Sequence, residues 1–313
     1  MPLKYLRYRW FCTMLTIAAC TTVSAGNLSA IWLTSKSEPQ ALAQFQQAWR
    51  QQREQTLEIN EQLLRPGMPT LIAAPTWFVL SADDAADRAL LASDYRGVII
   101  SLRAERARVA NAILRAGVMA PRWSGIYADP SPAQLLQIVP ALHRNIRHIG
   151  VVFDPYSVVN KNEWLSATQT RRMQLQGLYL QQGEYAERLV AMLWPRAEVL
   201  MITANSDLFS AATLDNMVLQ AMRHGKTVIA GGEAAQHSGA LLTLMPASDA
   251  RLQQALQLCL RTLRGDKPVF ETALTQHLQI NQQVLRTLNI QLELNTLAQQ
   301  VDFPLTLQQD DHK

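Results

Sequence analysis

The sequence predicts an α/β protein in which parallel sheets are flanked by helices and the chain divides into two halves. Three observations predict it. Short apolar runs alternate with longer amphipathic ones along most of the chain, the pattern of strand–helix–strand units covered on both faces. The segment Tyr127-Ala-Asp-Pro-Ser-Pro-Ala-Gln134 interrupts that alternation, and a second strand–helix series starts at His148. Finally, 313 residues, 48% of them hydrophobic, supply enough core for two lobes of ordinary size.

In chain order, the predicted strands are 28–33, 77–80, 97–102, 123–127, 148–153, 199–202, 227–230 and 241–245. Each is short and rich in Val, Ile, Leu or aromatic residues. The predicted helices are 39–53, 82–91, 105–116, 132–142, 184–194, 211–224 and 250–263. In the sixth, Ala211, Leu214, Met217, Val218, Ala221 and Met222 recur at the spacing of one helical face. Asp83 and Asp84 stand where a helix begins, so their charge meets the positive end of its dipole. Asp129 or Ser131 can cap the helix that Pro132 opens. A further break occurs at Arg264-Gly-Asp-Lys-Pro268. The expected organisation is a signal peptide over 1–25, a first lobe over 26–127 rejoined by 246–270, and a second lobe over 128–245 rejoined by 271–298. A polar, frayed tail is expected over 299–313.

The leader reading rests on charge and hydropathy. Lys4, Arg7 and Arg9 precede an apolar stretch from Trp10 to Ala19, and no acidic residue occurs before Ala25. Val23-Ser24-Ala25 then offers small or modest residues for cleavage before Gly26. A competing cut lies at Ile17-Ala18-Ala19-Cys20, which resembles a bacterial lipobox and would leave Cys20 lipidated. Either route places the protein in the periplasm, free or anchored by Cys20. Removing the three basic residues of the leader from 29 leaves 26 basic against 25 acidic groups, a net charge of +1. So balanced a surface gives little electrostatic reason to bind nucleic acid. Cys259, on the apolar side of a helical pattern, reads as a small buried hydrophobe.

Several chemistries lack their motifs. Leu33-Thr-Ser-Lys-Ser37 stands where a dinucleotide fold carries its glycine-rich turn, and its side chains would obstruct a pyrophosphate. Neither a GxxxxGK[ST] loop nor a G-x-S-x-G elbow occurs, and the six histidines make no ligand set. The expectation is a protein without catalytic residues, metal or cofactor. A periplasmic hydrolase is the competing reading, with Ser238 paired to His224 or His237.

Ligands of parallel α/β sheets bind beyond the carboxyl ends of the strands. Those positions are polar in both halves. The first supplies Thr34, Ser35, Ser81, Ser101 and Arg103; the second supplies Asp154, Ser157, Asn205, Asp207 and Glu233. Hydroxyl and amide groups suit a carboxylate or carbonyl, while Asp207 or Glu233 suits an ammonium group.

Over roughly residues 120–292 the chain resembles the substrate-binding proteins of ABC importers, in the group that includes tryptophan- and tyrosine-type binders. The similarity is carried by Tyr127-Ala-Asp-Pro-Ser-Pro-Ala-Gln-Leu-Leu136 followed by Ile149-Gly-Val-Val-Phe-Asp154, and by Ala197-Glu-Val-Leu-Met-Ile-Thr-Ala-Asn-Ser-Asp-Leu-Phe209. It continues through Lys226-Thr-Val-Ile-Ala230, Ser238-Gly-Ala-Leu241, Leu278-Gln-Ile-Asn281 and Val284-Leu-Arg-Thr-Leu-Asn-Ile290. The first lobe matches loosely, with Ser101-Leu-Arg103 replacing an acidic-proline turn. The resemblance implies a type I periplasmic-binding fold, two Rossmann-like lobes joined by several crossovers. It also implies a small organic, amino-acid-like ligand held between the lobes of a monomer. The implied partner is a membrane ABC permease or, alternatively, a membrane sensor.

Overall fold

Two mostly parallel sheets organise the chain. A computed structural model describes residues 28–52, 57–64, 78–106, 109–110, 112, 122–142, 145–153, 158–181, 184–203 and 211–310. The leader, Cys20 and most of the predicted helix 105–116 lie outside them.

The first series runs β1 (Leu28–Thr34), α1 (Pro39–Gln52), β2 (Leu57–Leu63), β3 (Phe78–Ser81), α2 (Asp84–Ala92), β4 (Val98–Ala104) and β5 (Arg122–Tyr127). The chain then crosses to a second series: α3 (Pro132–Gln137), β6 (His148–Phe153), α4 (Val158–Thr170), β7 (Gln174–Tyr179), α5 (Ala186–Leu193), β8 (Val199–Thr203), α6 (Ala211–Arg223), β9 (Thr227–Gly231) and β10 (Leu242–Pro246). It returns with α7 (Ser248–Leu263) and β11 (Phe270–Glu271). It ends in β12 (Gln276–Asn281), α8 (Gln282–Thr287), α9 (Leu294–Gln300) and β13 (Leu305–Asp310).

The sheet orders are β11-β5-β4-β3-β1-β2 and β13-β12-β10-β9-β8-β6-β7. The five leading strands of each series thus repeat one arrangement, second-first-third-fourth-fifth. All pairings in the first sheet are parallel; in the second, β10 and β12 run antiparallel. Three crossovers join the lobes: Tyr127 to Pro132, Pro246 to Ser248, and Glu271 to Gln276. They are tied together. Gln134 and Gln276 both donate to the Ala273 carbonyl, at 3.1 and 2.8 Å, and the Ala247 amide donates to the Thr275 carbonyl at 3.0 Å. The packing beside them is close: a Cβ on Gly231 would meet Pro130 Cγ at 2.9 Å.

Strand alternation sorts the cores. In the first sheet, Ala30, Trp32, Leu80 and Ile100 face α1 and α7, while Ile31, Leu33, Val79 and Ile99 face α2. In the second, Ile149, Val151, Val199 and Met201 pack with Trp164 of α4, and Val152, Leu200 and Val228 pack with α5 and α6. Cys259 is buried in the first core, and burial pushes its thiol pKa far upward.

Four elements differ from the sequence expectation. β2 and β7 are edge strands with many polar or half-exposed residues, so they lack the apolar density that marks a central strand. Helix α4 has no continuous apolar stripe. Among its described side chains, Trp164 and Thr168, one turn apart, are the buried ones. The expected frayed tail is corrected outright: 305–310 form β13, parallel to β12 from Gln276↔Leu305 to Asn281↔Asp310. An edge strand can be recruited by backbone hydrogen bonds with few apolar residues. Here the approach is pinned by buried Phe303 and by Asp302, which accepts from Gln137 at 2.7 Å.

Candidate functional site

The carboxyl ends of the two sheets meet. Arg103, near the end of central strand β4, lies 3.1 Å from Glu38 at the entry to α1 and 3.5 Å from Glu233, just beyond β9. On the other side of Glu233 stands Arg251, in the first turn of α7. Its Nη1 faces Glu233 Oε1 at 2.6 Å, with both atoms shut off from solvent. Two carboxylates and two guanidinium groups therefore alternate across the junction of the lobes. Arg251 is only 3% exposed, whereas about a third of Glu233 and Arg103 is open. Gly232, at φ 97°, turns the chain so that Glu233 enters this cluster.

A second bridge lies beside the crossovers. Arg106, just past β4, places its guanidinium 3.2 Å from Glu163 of α4 and 3.5 Å from Asp129 of the first crossover. It also donates to Thr272 Oγ1 at 2.5 Å and covers the Tyr127 ring at 3.9 Å. Burial pushes the Asp129 carboxyl up to about 6, against the downward pull of the Arg106 charge. Ser131, rather than Asp129, caps α3, accepting from the Gln134 amide in a capping box.

The described members of the expected site divide sharply. Arg103 and Glu233 come together at the junction. The expectation that Ser81, Ser101 and Thr34 present hydroxyls to a ligand is corrected, because all three are fully buried. Ser101 donates to Asp87 and accepts from Trp123 Nε1 at 2.7 Å; Ser81 donates to the Asp83 carbonyl. Thr34 and Ser35 gather around Asp83 Oδ2, at 3.0 Å for the Thr34 hydroxyl and 2.6 Å for the Ser35 amide. Sheet faces covered by helices leave such hydroxyls facing inward, where each must find a partner. Glu233, expected to suit an ammonium group, is paired in this structure with the guanidinium groups of Arg103 and Arg251. Asp154, Ser157, Asn205 and Asp207 lie outside the described residues.

Sequence reasoning missed Arg251, Glu38, Arg106 and Glu163. Arg251 did leave a signal: it shares a stripe with Ala255, Cys259 and Thr262, all buried, so a charge sits on the apolar face of α7. The hydrolase reading gains nothing from the geometry, because Ser238 donates to the Ala235 carbonyl at 2.8 Å inside its own turn. Away from the junction, α1 and α7 enclose a groove of about 340 Å³ lined by Gln44, Gln47, Gln51, Asp249 and Gln253. It borders neither set of strand ends. Among the described residues no group of three or more His, Cys, Asp or Glu is placed to hold a metal ion, and no helix is long and apolar enough to cross a membrane.

Two α/β lobes of repeated strand order, joined by three crossovers with their strand ends face to face, define a type I periplasmic-binding fold. No protein-family model matches the sequence, and no curated protein matches it. Solved structures do. The ligand-free, open structure of CD0873, a substrate binding protein with adhesive properties from Clostridium difficile, is similar with a TM-score of 0.64. Its identity is 14%, over 90% of this chain and 99% of that one. An ABC domain in complex with L-Trp from Streptococcus pneumoniae gives 0.58 at 14% identity, covering 90% of this chain and 100% of that one. A conserved domain protein from Vibrio cholerae O1 biovar El Tor gives 0.58 at 15% identity, with the same coverage. At such identities the likeness is one of fold.

Proposed function

We propose that this is an exported solute-binding protein that captures a small, amino-acid-like molecule between its lobes and performs no reaction on it. The observation that carries the reading is the meeting of opposed strand ends around Arg103 and Glu233, because both lobes contribute charged groups to one junction. A zwitterion matches a junction that offers guanidinium and carboxylate together. The reading assigns Asp207, with Asp154, Ser157 and Asn205, to the second lobe's share of the contacts. It also gives residues 1–25 the task of export.

A solute that touches both lobes only when they close shifts the population toward closure. Moving from mostly open to mostly closed requires roughly 5.5 kcal/mol of differential binding. A membrane permease, or a membrane sensor, would read the closed shape. The likeness of fold to a substrate binding protein and to a domain bound to L-Trp supports this reading.

The test is a thermal-shift screen with the twenty amino acids and their simple derivatives, followed by calorimetry on any hit. At a concentration 100 times its dissociation constant, a true ligand adds about 2.7 kcal/mol of stability, or a rise of several degrees in Tm. Arg103→Gln should weaken that binding about tenfold or more while leaving the free protein folded. A screen with no stabilising member, together with turnover of generic esters that is lost in Ser238→Ala, would overturn the proposal.

A further inference from the structure

Glu233 occupies the position that a solute's own carboxylate would seek. Arg251, almost wholly buried, is costly to keep charged without an anion, and Glu233 supplies that anion from the opposite lobe. Arg103 lies on the other side of the same carboxylate. We propose that Arg103 and Arg251 are the carboxylate-binding pair of this cleft, with Glu233 as a resident carboxylate that the incoming solute displaces. The identity of the visitor rests on the solute-binding reading; the anion affinity of the arginine pair does not.

Three features favour an exchange of this kind. First, Glu233 is about one-third exposed, so its carboxylate is reachable from the cleft even though Oε1 is sealed against Arg251. Second, the charges of Glu38, Arg103, Glu233 and Arg251 sum to zero. A monovalent carboxylate can therefore take the arginine pair while the freed Glu233 turns to the visitor's ammonium group. A doubly charged phosphate would bring an additional negative charge and no ammonium group to answer Glu233. Third, the two guanidinium groups strain one another. Burial lowers the Arg251 pKa, Glu233 opposes that, and the neighbouring Arg103 adds to the lowering, with a downward net shift. The pair thus needs an anion between its members, and planar guanidinium groups suit a planar carboxylate.

The experiment is chemical rescue. Glu233→Ala removes the resident carboxylate and leaves a vacancy for a small one. Sodium acetate should then raise the Tm of the variant by about 3 °C at ten times its dissociation constant. Sodium chloride at equal ionic strength and acetamide should do far less. The double variant Glu233→Ala/Arg251→Met should lose the acetate-specific response. Should the single variant fold only when prepared in acetate, that also supports the pair; failure to fold in both acetate and chloride overturns it. An acetate effect no larger than that of chloride, or one retained in the double variant, overturns it as well. Amino-acid binding by the unaltered protein, with no acetate effect in Glu233→Ala, would refute the arginine pair and spare the function. The reverse pattern would spare the pair and refute the function.

Discussion

At Asp129 burial and charge pull against each other. Its carboxyl is enclosed by the first crossover, with Arg106 on one side and Glu163 beyond it, and burial wins to give a pKa of about 6. The sign of the consequence follows from proton counting. Below about pH 4 the group is protonated whether the chain is folded or not. Between about 4 and 6 the unfolded chain releases its proton while the folded protein keeps it, so rising pH favours unfolding. Above about 6 both states are ionised and the difference stays constant. Relative to Asp129→Asn, the natural protein should therefore lose roughly 2–3 kcal/mol as pH rises through this window. Thermal unfolding of both proteins from pH 4 to 8 checks it, and a difference that does not change with pH would show that the carboxyl ionises normally.

At the scale of the element, α2 shows how one side chain serves two parts of the fold. Asp83 caps it by accepting from the Ala86 amide at 2.8 Å, while its other oxygen receives the Ser35 amide and hydroxyl at the end of β1. Burial raises its pKa, but these hydrogen bonds outweigh that and leave it below the usual value. Asp83→Ala should cost about 1–3 kcal/mol, the sum of a lost cap and lost bonds to the loop. Urea unfolding at pH 7 measures this. The cost should shrink as acid protonates the natural carboxyl, because a group with a lowered pKa stabilises only while ionised. The start of α2 was legible from sequence because it is local, with two aspartates before an apolar helical pattern, while the Asp83 cap itself was not read there. β13 was not, because its pairing with β12 joins segments some thirty residues apart and shows few apolar residues.

For the whole molecule, the lobes are linked by covalent crossovers and by three arginines that reach across, Arg106 to Glu163 and both Arg103 and Arg251 to Glu233. The partly exposed Arg103–Glu233 pair contributes only about 0–1 kcal/mol, and the sealed Arg251–Glu233 pair is the one that an incoming carboxylate is proposed to replace. The lobes should therefore move with respect to one another about the crossovers, and a bound solute should narrow their range. Small-angle scattering with and without a solute found by thermal shift should record a smaller radius of gyration in its presence. An unchanged radius at saturation would remove closure from the account.

Strand and helix periodicity, the break at 127–134 and the capping residues determined the α/β class and the two halves, because each depends on neighbours within a turn or a strand. The distant partners of charged and hydroxyl groups were decided by tertiary structure alone. Ser101 points to Asp87 and Trp123 because its strand is covered on both faces, and Glu233 meets Arg103 across 130 residues of chain. Local pattern fixes which way a side chain faces within its element; only the folded arrangement fixes what it finds there.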